Sequence, residues 1–141
     1  MQPILHLSIP VRDVSEARAF YVSALGCEAA RLRPGFCDVW FYGMQLTLQD
    51  RPDEAGPTPG SRHFGVTLSR ESFDQAVARL DAHGAQWVSP VSTDDAGLPT
   101  EQTKGKVVDP SGNVIELKTY RDVGAALEIS PVYPEAATHG N

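Results

Sequence analysis

Residues 62–68 read Arg-His-Phe-Gly-Val-Thr-Leu, and residues 3–10 read Pro-Ile-Leu-His-Leu-Ser-Ile-Pro. The two stretches share one pattern, and that pattern decides the fold. In each, apolar residues alternate with small or polar ones at the two-residue period of a half-buried strand. Leu5, Leu7 and Ile9 fall on one face of the first, His6 and Ser8 on the other. Phe64, Val66 and Leu68 fall on one face of the second, with His63, Gly65 and Thr67 opposite.

The segments after these two strands are also alike. After the first, Asp13 or Ser15 is placed to cap a helix whose buried face carries Val14, Ala17, Phe20, Tyr21, Ala24 and Leu25, and Gly26 stops it. After the second, residues 71–83 form an amphipathic helix with Phe73, Ala76, Val77 and Leu80 inward, closed by Gly84. Three short strands are expected after each helix. The first set covers about 27–33, 36–42 and 44–49, with turns at Pro34-Gly35 and Gly43. The second covers about 86–91, 103–109 and 113–119, and Asp109-Pro110-Ser111-Gly112 is a strong turn signal within it.

The chain therefore reads strand, helix, three strands, twice over, with modules at 1–49 and 62–122. Only two copies are present, which indicates paired modules and not a solenoid array. Residues 50–61 hold three prolines and two glycines without periodicity and read as a linker or surface loop. In the tail, 123–141, a short helix near 123–128 is expected, and the last ten residues are expected to be loose or folded over a neighbour.

Composition bounds the function. At 141 residues the chain suits one domain or two fused half-domains sharing a core. A net charge of −6, with no stripe of lysine and arginine, argues against nucleic acid as a partner. No apolar run approaches the roughly 20 residues that span a bilayer. Met1-Gln2-Pro3-Ile4 lacks the features of a signal peptide, so a cytoplasmic protein is expected. The two cysteines, Cys27 and Cys37, read as reduced, semi-buried strand residues. Neither has a histidine close by in sequence, which disfavours a catalytic thiol.

The chemistry-bearing residues share a register. His6 and His63 both lie opposite the apolar stripe of a module's first strand. In the last strand of each module, Leu46 and Leu48 form the stripe with Gln45 and Thr47 opposite, and Ile115 and Leu117 form it with Val114 and Glu116 opposite. Aligned on Gly43 and Gly112, Thr47 corresponds to Glu116. Four equivalent positions thus read His6, Thr47, His63 and Glu116. Two imidazoles and a carboxylate suit Fe(II), Mn(II), Zn(II) or Ni(II) with positions left open for substrate. The blander reading is two hydrogen-bonded strand histidines and an edge-strand glutamate.

These stretches also carry a resemblance. Ile4-Leu-His-Leu-Ser-Ile-Pro-Val-Arg-Asp-Val14 with Ala19-Phe-Tyr and Leu25-Gly26, Arg62-His-Phe-Gly-Val66, and Val108-Asp-Pro-Ser-Gly-Asn-Val-Ile-Glu-Leu-Lys118 resemble the vicinal oxygen chelate superfamily over about residues 3–121. That group includes glyoxalase I, extradiol dioxygenases, fosfomycin-resistance thiol transferases and bleomycin-binding proteins. The resemblance implies an α+β fold: two βαβββ modules forming a cupped, eight-stranded mixed sheet with helices on the outer face. It implies His6, His63 and Glu116 as ligands of a divalent metal, and a homodimer, sometimes with exchanged modules.

Thr47 departs from the glyoxalase I-like pattern, where a fourth ligand is usual. Two histidines and one glutamate resemble the dioxygenases and thiol transferases more closely. No potassium-binding loop of the transferases is recognisable in residues 90–102. The expectation is a metal-dependent enzyme, dioxygenase-like, acting on a small bidentate oxygen-bearing substrate. The alternatives are a metal-free drug- or metabolite-binding protein and a fosfomycin-type thiol transferase.

Around the triad, Gln45 and Thr47 are expected as polar wall residues, and one face of Trp40, Phe41 and Tyr42 as pocket lining. Arg121 either pairs with an anionic substrate or is a solvated strand end. Lys104 and Lys106 point towards one face near the rim, either as surface residues or as ligands for a carboxylate or phosphonate. His83, at a helix end, and His139, in the tail, are given no ligand role.

Overall fold

The computed structural model describes residues 1–129. The expectations for the last ten residues and for His139 lie outside them. The first module runs β1 (His6–Val11), α1 (Val14–Ala19), β2 (Glu28–Arg33), β3 (Phe36–Phe41) and β4 (Met44–Asp50). The second runs β5 (Phe64–Thr67), α2 (Arg70–Ala82), β6 (Gln86–Asp94), β7 (Gln102–Val108) and β8 (Val114–Tyr120), followed by the short helix α3 (Val123–Leu127). The eight strands divide four and four, in the orders β1-β4-β3-β2 and β5-β8-β7-β6. β1–β4 and β5–β8 are parallel, and the remaining pairs are antiparallel, so each sheet is mixed. The paired βαβββ reading is thus the observed architecture.

Asp13, and not Ser15, caps α1: its carboxylate accepts from the Glu16 amide at 2.7 Å. The expected single helix to Leu25 differs in detail. α1 passes at Phe20 into a π-helical turn, Phe20–Ala24. That turn carries Tyr21 into the core, fully buried, where its hydroxyl donates to Asp109 Oδ2 at 2.8 Å. A wider turn of this kind is a common way of re-aiming one side chain within a helix. Cys27 lies ahead of β2, not within it, and β5 begins one residue after His63.

One hydrophobic core serves both modules. Val39, Leu46 and Leu48 from the first sheet join Val107, Ile115 and Leu117 from the second, with Tyr21, Leu25, Phe73 and Leu80 from the helical layer. Burying a side chain of this size contributes roughly 1.5–3 kcal/mol. Leu46 and Leu48 alternate with Gln45, Thr47 and Gln49, so each sheet turns its apolar side to the helices and its polar side outward.

The Asp109-Pro-Ser-Gly-Asn113 turn fastens the modules together. Asp109 is buried and accepts from Tyr21 in the first module as well as from the Ser111 and Asn113 amides and the Asn113 side chain. Asn113 Nδ2 also donates to the Pro10 carbonyl at 3.0 Å, and the Arg12 amide donates to Ser111 Oγ at 2.9 Å. Linker residues close the same knot: the Gly56 amide donates to the Ser111 carbonyl, and Thr58 donates to the Gly112 carbonyl. Gly112 has φ +92°, and a Cβ there would strike the Gly56 carbonyl. Both conformation and space therefore demand glycine.

Candidate functional site

Each sheet presents an outward polar face, and the two faces hold different chemistry. On the first, β1 supplies His6 and Ser8, and β4 supplies Gln45, Thr47 and Gln49. The parallel register sets His6 beside Gln45 and Ser8 beside Thr47. His6 Nδ1 lies 3.1 Å from the Gln45 carbonyl. A carbonyl only accepts, so Nδ1 is the donor of this pair, and Nε2 is the nitrogen not engaged by the backbone. Across β4, Asp38 of β3 pairs with Thr47. It is 5% exposed, yet accepts from Thr47 Oγ1 at 2.7 Å, Arg31 Nε at 2.8 Å and, more distantly, Gln45 Nε2 at 3.4 Å. Burial pushes the Asp38 carboxyl upward, but these hydrogen bonds outweigh it and hold the group below its ordinary value.

On the second face, Gly65 of β5 sits beside Glu116 of β8. A Cβ at Gly65 would collide with the Glu116 backbone carbonyl, so glycine is what lets the two strands approach here. Glu116 is 6% exposed. His63 Nε2 lies 3.6 Å from its Oε1, Lys118 Nζ lies 3.1 Å from Oε1, and Lys106 Nζ lies 3.9 Å from Oε2. His63 Nδ1 is 2.7 Å from the Ser61 carbonyl, which fixes the same tautomer as at His6 and turns Nε2 towards Glu116. Burial lowers the Lys118 ammonium's pKa, but the hydrogen bond and charge of Glu116, helped by Tyr120, raise it on balance.

The expected triad is therefore divided. His63 and Glu116 come together, while His6 lies on the other sheet. Among the described residues, no three histidine, cysteine, aspartate or glutamate side chains converge on one point. The donors nonetheless suit a divalent ion. Their spacing of 3.6 Å is one that two ligands at about 2.0–2.2 Å from a common centre can adopt, and both imidazoles have the backbone-anchored Nδ1 typical of metal-binding histidine.

The remaining expected site residues are dispersed. Gln45 and Thr47 line the hollow over the first sheet together with His6 and Arg31. Trp40, 36% exposed, borders a separate small hollow with Gly26, Cys27 and Tyr42. Phe41 is buried in the core and touches Phe64 edge-on across the modules, with ring centres 5.3 Å apart. Arg121 braces the 95–101 loop, donating to the Gly97 carbonyl at 2.8 Å. His83 stays at the C-terminus of α2. Cys27 and Cys37 are both free and buried, and burial pushes the Cys27 thiol up to about 12.

Sequence reading overlooked Asp38 and Lys118. Both carried a signal: Asp38 lies between apolar Cys37 and Val39, and Lys118 is two residues from Glu116, so strand alternation puts each on the polar face.

Comparison with known proteins agrees with this architecture. A model of the glyoxalase/bleomycin resistance protein/dioxygenase superfamily matches residues 3–117. A glyoxalase/bleomycin resistance protein/dioxygenase from Alicyclobacillus acidocaldarius is 34% identical, with a TM-score of 0.75 over 85% of this chain and 92% of that one. The fosfomycin resistance protein FosX from Listeria monocytogenes shares the fold at 15% identity, with a TM-score of 0.69 over 84% of this chain and 93% of its own. A glyoxalase/dioxygenase from Nostoc punctiforme does so at 18% identity, with a TM-score of 0.66 over 86% and 92%. No protein of curated function matches the sequence. With its paired modules, its polar sheet faces and a family match over most of its length, the chain belongs to the glyoxalase/bleomycin resistance protein/dioxygenase superfamily.

Proposed function

We propose that the chain is a metal-dependent enzyme acting on a small substrate with two neighbouring oxygens, through a dioxygenase-type site of two histidines and one glutamate. The observation that carries this reading is the His63–Glu116 pair, a buried carboxylate facing an imidazole whose Nδ1 is committed to a backbone carbonyl. His6 is the third ligand, supplied by a second copy of the chain in a homodimer with exchanged modules. The exposed position of His6 on a separate polar sheet face, its ring fixed in the same tautomer, supports that arrangement.

A bound divalent ion would polarise the substrate oxygens as a Lewis acid. The chain's own residues do the rest. Glu116 offers a carboxylate poor in water, His63 is oriented by Ser61, and Gly65 keeps β5 close enough for the two to meet. Two free cysteines accord with a cytoplasmic setting.

Metal content of untagged protein tests the proposal. The wild type is expected to retain about one ion per chain, and His63→Ala to lose it; equal metal in both sinks the reading. Light scattering should give a dimer. Oxygen uptake with catechols then separates ring cleavage from isomerisation or thiol transfer. The division of the triad within one chain favours a second reading, a metal-free binder of a drug or metabolite. It predicts ligand binding that survives chelators, without turnover.

A further inference from the structure

The second sheet carries a like-charge arrangement that its packing does not call for. β7 and β8 are the two inner strands of that sheet, and their register sets Lys104 directly opposite Lys118 and Lys106 directly opposite Glu116. All four side chains share the polar face. Opposed like charges on a ladder weaken a sheet, and the chain as a whole is acidic at −6. The three lysines nevertheless gather at this one place, each about one-third exposed. Their carboxylate partners are few. Lys104 is 3.3 Å from Asp94, itself half exposed, while Lys106 and Lys118 share Glu116. A hollow of about 320 Å³ lies on the Lys118 side of the patch, bordered by His63, Thr67, Glu116, Lys118 and Tyr120, and Lys106 approaches Glu116 from outside that lining.

We infer that Lys106 and Lys118 bind an anionic group, a carboxylate or phosphonate, carried by the substrate beside its chelating oxygens. The inference rests on the metal reading of His63 and Glu116. Once Glu116 is committed to an ion, the Lys118 ammonium on the hollow and the Lys106 ammonium beside it lose their shared counter-charge, and a substrate anion restores it. The ammonium groups lie 3.1 and 3.9 Å from the Glu116 oxygens, so the anion they hold adjoins the reacting oxygens of the substrate. Lys104, next to Lys118, adds long-range attraction and is not required for contact.

Three ligands with one chelating unit test this. Lactate, malate and 3-phosphonolactate all present a 2-hydroxycarboxylate, and the last two add a carboxylate or a phosphonate. Their binding is measured by calorimetry on Mn(II)-loaded protein, after metal content has been determined separately. At least one of the two extended ligands should bind tenfold or more tighter than lactate, and the one that gains more identifies the anion. In K106Q/K118Q that advantage should fall below twofold with Mn(II) content unchanged; the single variants K106Q and K118Q give intermediate losses and stand in if the double variant does not fold. Lactate binding as tightly as both extended ligands overturns the inference, and so does an advantage that survives both substitutions. In those cases the metal reading stands. A wild type that retains no Mn(II) instead ends the metal reading, and the inference falls with it.

Discussion

The two polar sheet faces are built on one plan and used differently. At equivalent positions the first has Thr47 opposite Asp38, and the second has Glu116 opposite Lys106. Both carboxylates are buried, at 5% and 6% exposure. Asp38 is matched by donors on its own face, two of them at 2.7 and 2.8 Å. Glu116 has the Lys118 and Lys106 ammonium groups at 3.1 and 3.9 Å and the His63 ring at 3.6 Å, none of them a bidentate partner. A charge satisfied at hydrogen-bond distance stabilises the fold and is costly to move. A carboxylate whose partners are each about one-third exposed, with one of them at hydrogen-bond distance, is available to a ligand. Repetition thus supplied two frames, of which one holds itself together and the other holds its charges ready.

The largest expected effect comes from closing the gap that brings Glu116 to His63. Gly65→Ala should push β5 away from β8, cost about 3 kcal/mol in urea unfolding, and abolish metal retention. Asp38→Asn comes next, at about 2 kcal/mol, because Arg31 and Thr47 lose a charged acceptor in a buried place. Its pH dependence sharpens the contrast. The Asp38 carboxyl is held below its ordinary value, so its contribution is fully present above the unfolded pKa of about 4 and is lost as pH falls through the folded one. The gap between wild type and Asp38→Asn in unfolding midpoint should therefore narrow from pH 7 to pH 3. Glu116→Gln should cost less than Asp38→Asn, since one partner stands at hydrogen-bond distance from Glu116 against two short donors at Asp38, yet should eliminate metal. If Glu116→Gln proves as costly to stability as Asp38→Asn, the contrast between a structural and an available carboxylate is broken.

Tyr21→Phe probes the connection between the modules. Removing the hydroxyl takes one donor from buried Asp109 and should cost about 1–2 kcal/mol. The same unfolding experiment reads it, and metal retention should be untouched.

Much of this fold was legible in the chain, and particular residues show why. Leu7 and Ile9 after His6, and Ile115 and Leu117 around Glu116, assign each polar side chain to the outward face, because alternation in a strand is strictly two-sided; Leu5, expected on the inward stripe, lies ahead of β1 and is 72% exposed. Asp13 and Gly26 bounded the first helix through local hydrogen bonding and backbone freedom alone. The π-helical turn at Phe20 was not legible, and the hydrogen-bond partner of its buried Tyr21, Asp109, lies 88 residues away. The Asp109-Pro-Ser-Gly-Asn113 stretch was legible as a turn and as a family signature; its work as a clamp on Pro10, Arg12 and Tyr21 was not.

The sequence by itself determined the two modules, the inward and outward side of the first and last strand of each, and the choice of His6, His63 and Glu116 as the residues to watch. All of these come from local periodicity. Only the tertiary structure decided which of the three meet. His63 and Glu116 do so because β5 and β8 are adjacent parallel strands brought close by Gly65, whereas His6 belongs to β1 in a separate sheet. Which face a residue occupies is fixed by its neighbours in the chain. The partner it meets there depends on strand order and on how the sheets are joined, and those are set by the packing of the shared core.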